Sequence, residues 1–400
     1  MQNDEHKPDL LLKKVFDPKG PGRKGIDPHQ LKLGIYGFLL VLLISMLSLK
    51  PYLPRAIFHN FAKIDDYRIF SNRLVVAGNN KQPWKRGAAE IAGPDARTAQ
   101  QLIDLKTTAL LVLENGNIVY EKYGETGGVE TLSGSFSMAK SIVALLTGFA
   151  LQDHRIRSLD ESISTYVTEW EGREEGKISI KNLLSMTSGL NWNETYSNPF
   201  SITTEAYYGT DLHFTALRQR AVVDPGTRFE YQSGSTELLG LVLSRAVNLS
   251  LASYASQKLW MPLGAEKDAL WSLDHEEGLE KAFCCFNATA RDFSRIGEFV
   301  RLRGNWNGKQ LLNAAFIDQM LTPNGILDTS GKPTNYYGFQ WWILHTPKGD
   351  VPYARGILGQ YIVVLPQKNR VLVRLGMKAG KIVDGHPEEL VSLVNWMLQD

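Results

Sequence analysis

The stretch Ser137-Met138-Ala139-Lys140-Ser141-Ile142-Val143-Ala144-Leu145-Leu146-Thr147-Gly148-Phe149-Ala150 joins a polar tetrapeptide to an almost unbroken apolar run. Such a run reads as a buried helix. Positions three apart lie one above the other on a helix face, so the Ser137 hydroxyl and the Lys140 amine point into one shared space. A serine hydroxyl attacks poorly unless a neighbouring base takes its proton, and this spacing provides a base. No other serine in the chain is followed three positions later by lysine. One such match is expected by chance in a chain of this length, so its surroundings decide its weight.

Working outward, Thr108–Leu113 and Ile118–Tyr123 are apolar runs separated by Glu114-Asn115-Gly116-Asn117. Asn-Gly between two such runs predicts a β-hairpin. Downstream, 151–325 reads as mainly helical and loop-like. Helices are expected at Ile180–Met186, Ser235–Val247, Leu251–Leu259, Ala290–Arg303 and Ala314–Leu321, with breaks such as Pro262-Leu263-Gly264 between them. Strand signals return at Tyr336–Leu344, Gln360–Pro366 and Arg370–Leu375, and a last helix is expected at Pro387–Leu398. Strands at both ends of a domain must pair to bury their faces. The expected fold class is therefore α+β: an antiparallel β-sheet flanked by N- and C-terminal helices, with an inserted, mainly helical subdomain at about 151–325.

The 400 residues suffice for one large domain, and 22% charged with 43% hydrophobic residues is a globular composition. A net charge of +2 and the lack of basic blocks interleaved with aromatics argue against nucleic acid as a partner. Cys284 and Cys285 are adjacent. Neighbouring cysteines bridge poorly, so they read as small buried side chains. His154, His213 and His275 fall in no ligand spacing, so neither a metal nor a cofactor is expected.

The N-terminal portion differs in character. Residues 1–30 are polar and rich in proline, a flexible tail by composition. Leu33 to Leu49 is an uncharged run of 17 residues, the short end of what spans a bilayer. The segment 31–50 is expected to be a transmembrane anchor, with the lipid bilayer as its partner. Tyr36 and Tyr52 flank it, and the Lys/Arg bias slightly favours a cytoplasmic N-terminus. Residues 51–100 read as a connecting segment, and 101–400 as the main domain.

A hairpin, a Ser-x-x-Lys helix, a helical insert and returning strands in that order resemble the serine β-lactamase and penicillin-binding-protein superfamily. Several stretches are similar to its class C and carboxylesterase branch, closest to the 6-aminohexanoate-dimer hydrolase group. They are Ser135–Lys140, Ile178–Leu190, Pro225–Ser233, Ala290–Gly297 and Gly356–Tyr361. The likeness covers roughly 100–400 and implies a Ser137 nucleophile, Lys140 beside it and a proton-shuttling tyrosine. Tyr231, in Tyr231-Gln232-Ser233, is the preferred shuttle, with Ser233 as its accessory group. Tyr196, in the literal Tyr196-Ser197-Asn198, resembles a substrate-side loop tyrosine.

The superfamily's Lys-Thr-Gly element is missing. Lys378-Ala379-Gly380 follows the strand that it should begin, and the matching place falls near Gly356–Gln360. Gly359 and Gln360 are therefore expected beside the substrate, with an edge-strand N–H and the Ser137 N–H as oxyanion donors. Trp192, Trp341 and Trp342 are candidate pocket walls, although core packing is the default. Asp160 and Asp292 are expected to cap or pair structurally.

The resemblance implies a serine hydrolase of a small amide or ester, acting through an acyl-enzyme. The base is either a neutral Lys140 or a Tyr231 phenolate stabilised by lysinium. Alternatives are a β-lactamase or D-alanyl-D-alanine carboxypeptidase or D-aminopeptidase, disfavoured by the lost lysine, and a non-catalytic binding protein of the same fold. The expected location is a bacterial inner membrane, with the domain on the periplasmic side.

Overall fold

A computed structural model describes residues 28–399; the expected tail over residues 1–30 lies largely outside the described residues. The chain divides into a unit ending at Pro51 and a second unit from Tyr52 onward. The first contains α1 (Pro28–Leu49), a helix of 22 residues. Among the described residues, no single helix passes the combined test of length and hydropathy for a membrane span. The anchor expected over 31–50 is thus unsupported as a span, and part of the α1 side chains lie outside the described residues.

The second unit begins with α2 (Leu53–His59), β1 (Asn72–Val75), β2 (Lys85–Arg86) and α3 (Ala96–Asp104). Asp95 caps α3 by accepting from the Thr98 N–H. The expected hairpin follows as β3 (Thr107–Glu114) and β4 (Asn117–Tyr123). Asn115 and Gly116 both adopt positive φ, +48° and +72°, as a two-residue turn matched to strand twist requires. β5 (Ser133–Gly134) then leads into α4 (Met138–Gln152), which is buried almost throughout.

The insert carries α5 (Ile180–Leu184), α6 (Ile202–Tyr208), α7 (Leu212–Leu217), α8 (Ser233–Val247) and α9 (Leu251–Ala255). A reciprocal capping box between Ser179 and Asn182 starts α5, and a left-handed Asn248 ends α8. It also holds strands: β6 (Ala269–Ser272), β7 (Phe286–Ala288) and the small hairpin β8 (Asn305–Trp306) and β9 (Lys309–Gln310). Between them runs α10 (Ala290–Arg301), and α11 (Ala314–Met320) follows. β10 (Trp342–Thr346), β11 (Gly349–Gly356), β12 (Gln360–Leu365), β13 (Arg370–Gly376) and α12 (Glu388–Leu398) complete the unit.

The main sheet has the order β10-β11-β12-β13-β3-β4-β2, antiparallel except where β2 joins β4 in parallel. Its centre is the pairing of β13 with β3, with Leu372 opposite Val112. One face packs on α4 and α10 around Leu111, Ile142, Phe293, Ile362 and Val371. The other packs on α12 around Val112, Tyr361, Leu390 and Leu393. A second sheet, β1-β6-β7-β5, draws on residues 72–75 as well as the insert. This α+β architecture, with helices on both faces of an antiparallel sheet, is the expected fold class.

Cys284 and Cys285 are buried, as expected, but the expectation that they do not bridge needs correction. Cys284 and Cys285 form a disulfide, their Cα atoms 3.8 Å apart. Cys285 takes a left-handed φ of +68°, which turns the two side chains toward each other.

Candidate active site

Ser137 occupies the turn between β5 and α4, where Phe136 is held at φ +45°. A bulky residue in the left-handed region persists only where its surroundings impose it. One such constraint is visible: the end of β11 presses on this turn, and a Cβ on Gly356 would overlap the Ser135 carbonyl and come within 3.2 Å of the Phe136 Cβ. The Ser137 turn and the end of β11 therefore lie side by side.

Lys140, one turn into α4, is fully buried. Its Nζ donates to Ser137 Oγ at 3.0 Å, to Ser233 Oγ at 3.0 Å and to the Phe283 carbonyl at 2.8 Å. Burial pushes its pKa down to about 8, while the negative charges of Glu194 and Glu237 pull upward. The amine also stands 5.2 Å from the ring centre of Tyr231, a cation–π distance.

Tyr231 and Ser233 are placed by the segment before α8. Glu230 N donates to Met186 O (2.9 Å), Gln232 Nε2 to Leu190 O (2.7 Å), and Ser188 Oγ bonds Ser235 Oγ (2.8 Å). The end of the Ile178–Leu190 stretch thus serves as a brace under the start of α8. Tyr231 lies against Trp342 and Tyr337, with ring centroids 5.5 and 5.9 Å away.

A cavity of about 270 Å³ opens on Ser137, lined by Glu194, Tyr196, Tyr231, Trp342, Arg355, Gly356 and Ile357. Both tyrosines have raised pKa values, first through burial and then through the negative charge of Glu194; the Ser137 hydroxyl acts on both in the opposite direction. The Tyr196 hydroxyl is buried beside the Ser137 and Ser233 hydroxyls. Arg355 lies over the Trp342 ring at 5.0 Å and brings a positive charge to the cavity wall.

The structure thus brings together Ser137, Lys140, Tyr231, Tyr196 and Ser233, and Trp342 alone of the three tryptophans. Trp341 is fully buried in the core. Trp192 sits beneath Gly234, its Nε1 bonded to Thr203 Oγ1 at 2.8 Å. Thr289 caps α10 by accepting from the Asp292 N–H, and the Asp292 carboxylate accepts from the Thr289 hydroxyl and pairs with Arg295 at 3.1 Å.

Gly359 and Gln360 are not among the cavity walls, which corrects their expected place beside the substrate. Gly359 has φ +83°, and its carbonyl accepts from Arg374 at 2.7 Å, so close that a Cβ would overlap that guanidinium. Gln360 is buried and bonds the Gly376 carbonyl at 2.6 Å and its N–H at 3.1 Å. Both residues set the turn from β11 to β12.

Two participants escaped the sequence reading. Glu194 accepts from the Ser233 N–H and hydroxyl, each at 2.6 Å. The Phe283 carbonyl, just before the disulfide, completes the shell around Lys140. Glu194 lies two residues before Tyr196, but no spacing rule ties that loop to a helix start 39 residues on. A backbone carbonyl leaves no side-chain signal at all. Among the described residues, no group of three or more His, Cys, Asp or Glu side chains is placed to hold a metal.

Fold and site together define a hydrolase of the serine β-lactamase type. The family model described as Beta-lactamase matches residues 96–389, and the chain belongs to that family. The 6-aminohexanoate-dimer hydrolase of Paenarthrobacter ureafaciens is 27% identical over 299 residues, 69% of this chain and 74% of the relative. A Bacillus anthracis structure, described provisionally as a 6-aminohexanoate-dimer hydrolase, superposes with a TM-score of 0.72 at 24% identity. It covers 84% of this chain and 91% of that one. A family VIII carboxylesterase superposes with a TM-score of 0.57 at 15% identity, over 77% of this chain and 99% of its own. At these identities the two structures show a shared fold.

Proposed function

We propose that the protein cleaves a small amide or ester through an acyl-enzyme on Ser137. The observation that carries this reading is the 3.0 Å contact between Lys140 Nζ and Ser137 Oγ in a buried site that disfavours the lysine's charge. In its neutral form Lys140 takes the Ser137 proton as Oγ attacks the substrate carbonyl. The N-terminal end of α4 favours the negative charge that develops, and the Ser137 N–H together with an N–H from the end of β11, where Gly356 and Ile357 line the cavity, serves as the oxyanion hole. The bond to the leaving group breaks, and the proton passes through Tyr231 to the departing nitrogen or oxygen. Water then attacks the ester on Ser137, gives its proton back along the same route, and releases the acid.

The relatives' hydrolase descriptions support the reaction class. A second reading, a β-lactamase or peptidase that holds a substrate carboxylate, is supported by the Arg355 charge at the cavity wall. The test is turnover of p-nitrophenyl esters, linear amides and nitrocefin by wild type and Ser137→Ala. Ester or amide turnover that disappears in the variant is expected. Turnover that survives the substitution would falsify the nucleophile assignment, and nitrocefin as the preferred substrate would favour the second reading.

Membrane attachment on the outer side of a bacterial inner membrane is a separate proposal. Its support is the uncharged 33–49 run within a 22-residue helix, which at ~1.5 Å per residue is about 33 Å long. Alkaline carbonate extraction should leave the full-length protein in the pellet; release into the supernatant would reject attachment.

A further inference from the structure

A second cavity, of about 160 Å³, is walled chiefly by Phe61, Tyr196, Tyr207, Tyr208, Ile357 and Leu358. Tyr196 and Ile357 line both cavities, whereas Tyr231 and Trp342 line only the one at Ser137. Among the described residues, no charged side chain lines the second.

The slot is built from braced elements. α6 supplies Tyr207 and Tyr208, whose rings meet edge to face at 4.8 Å, and Tyr207 donates to the buried Asp66 at 2.8 Å. α2 packs on α6, and the turn after it supplies Phe61. Leu358 is held at φ +63°, a conformation that a branched aliphatic residue rarely adopts. Its turn is fixed from behind, where Gln360 Nε2 donates to the Ile357 carbonyl at 3.3 Å. Backbone strain retained at the wall of a cavity points to a role for that wall.

We propose that the slot takes the acyl chain of the substrate, which is an ester or amide of a medium- or long-chain, largely apolar carboxylic acid. This inference rests on the acyl-enzyme reading. Tyr231 hands its proton to the leaving group, which places that group on the Tyr231–Trp342 side. The acyl remainder, still bonded to Ser137 Oγ, then runs past Tyr196 and Ile357 into the slot.

The test uses the full-length protein and p-nitrophenyl esters from acetate to dodecanoate, all kept below their micelle-forming concentrations. The leaving group is constant, so chain length is the one variable. kcat/KM should rise about two- to fourfold per methylene until the slot is full, in line with the burial of each CH₂. Leu358→Trp and, separately, Tyr208→Trp should each lower the octanoate-to-acetate ratio about tenfold, the equivalent of roughly two methylenes excluded. The ratio is taken within one preparation, so loss of folded protein cancels. A flat or falling series, or a ratio unchanged in both variants, overturns the slot while acetate turnover leaves the acyl-enzyme reading standing. Absence of turnover that depends on Ser137 with every ester overturns both.

Discussion

Around Lys140, three acceptors surround one buried amine, and this arrangement fixes what the site does as pH changes. The protonated amine fills all three contacts but has no lone pair for the Ser137 proton. Burial lowers its pKa to about 8, so the neutral form grows as pH rises through that value. Ester kcat/KM should therefore climb with pH through about 8, measured as a pH–rate profile of the free enzyme. Glu194 pulls that pKa upward. Glu194→Gln keeps an acceptor for Ser233 but removes the charge, so the ascending limb should move about one unit toward lower pH. A profile that stays in place would leave Glu194 as a cap for α8 only. Tyr231→Phe should cost about 100-fold in kcat, the scale of one lost acid–base group, and far more than Tyr196→Phe; the reverse order would reassign the shuttle. Ser137 and Lys140 were legible in the sequence because one helical turn joins them. Glu194 was not, because its partner is met only after a loop folds back on a distant helix.

At the scale of elements, the packing of α10 on the main sheet depends on the absence of a side chain at Gly297. A Cβ there would meet Val371 Cγ1 at 2.5 Å and Ile362 Cγ2 at 2.8 Å. Both partners are branched residues fixed in central strands and have little room to yield. Gly297→Ala should destabilise by about 1–3 kcal/mol through overpacking, read as a fall in the thermal midpoint; an unchanged midpoint would show that the sheet gives way. Elements with a local signature were legible: the β3–β4 hairpin through Asn115-Gly116, α4 through its apolar run, and α12 through its periodicity. The short helices α6 and α7 were missed, since a helix of six or seven residues shows too few turns for a period. The strand expected at Tyr336–Leu344 begins instead at Trp342. Tyr336 and Tyr337 are drawn into the aromatic cluster around Tyr231 and Phe229, a tertiary packing that overrides their strand propensity.

At the scale of the whole molecule, the main sheet is closed by strands from opposite ends of the domain, with Arg370 paired to Glu114 in sequence register and in charge. The insert between them carries Tyr231, Ser233 and Phe283, so the site is complete only when that closure is made. That the terminal strands would pair was legible from their apolar faces. That residues 72–75 would enter the second sheet was not, because β1 is four residues long and half exposed. A chain starting at Tyr52 should keep the thermal midpoint and ester turnover of the full-length protein, whereas a start at Ala77 removes β1 and should lose both. An acyl-enzyme on Ser137 is a covalent species, and trapping it is the decisive measurement. The protein is mixed with a slowly deacylating ester or a fluorophosphonate, quenched, digested and mapped by mass spectrometry. A single stoichiometric adduct on Ser137 is expected, absent from Ser137→Ala and formed more slowly below pH 8. An adduct on another residue, or turnover with none on Ser137, would contradict it.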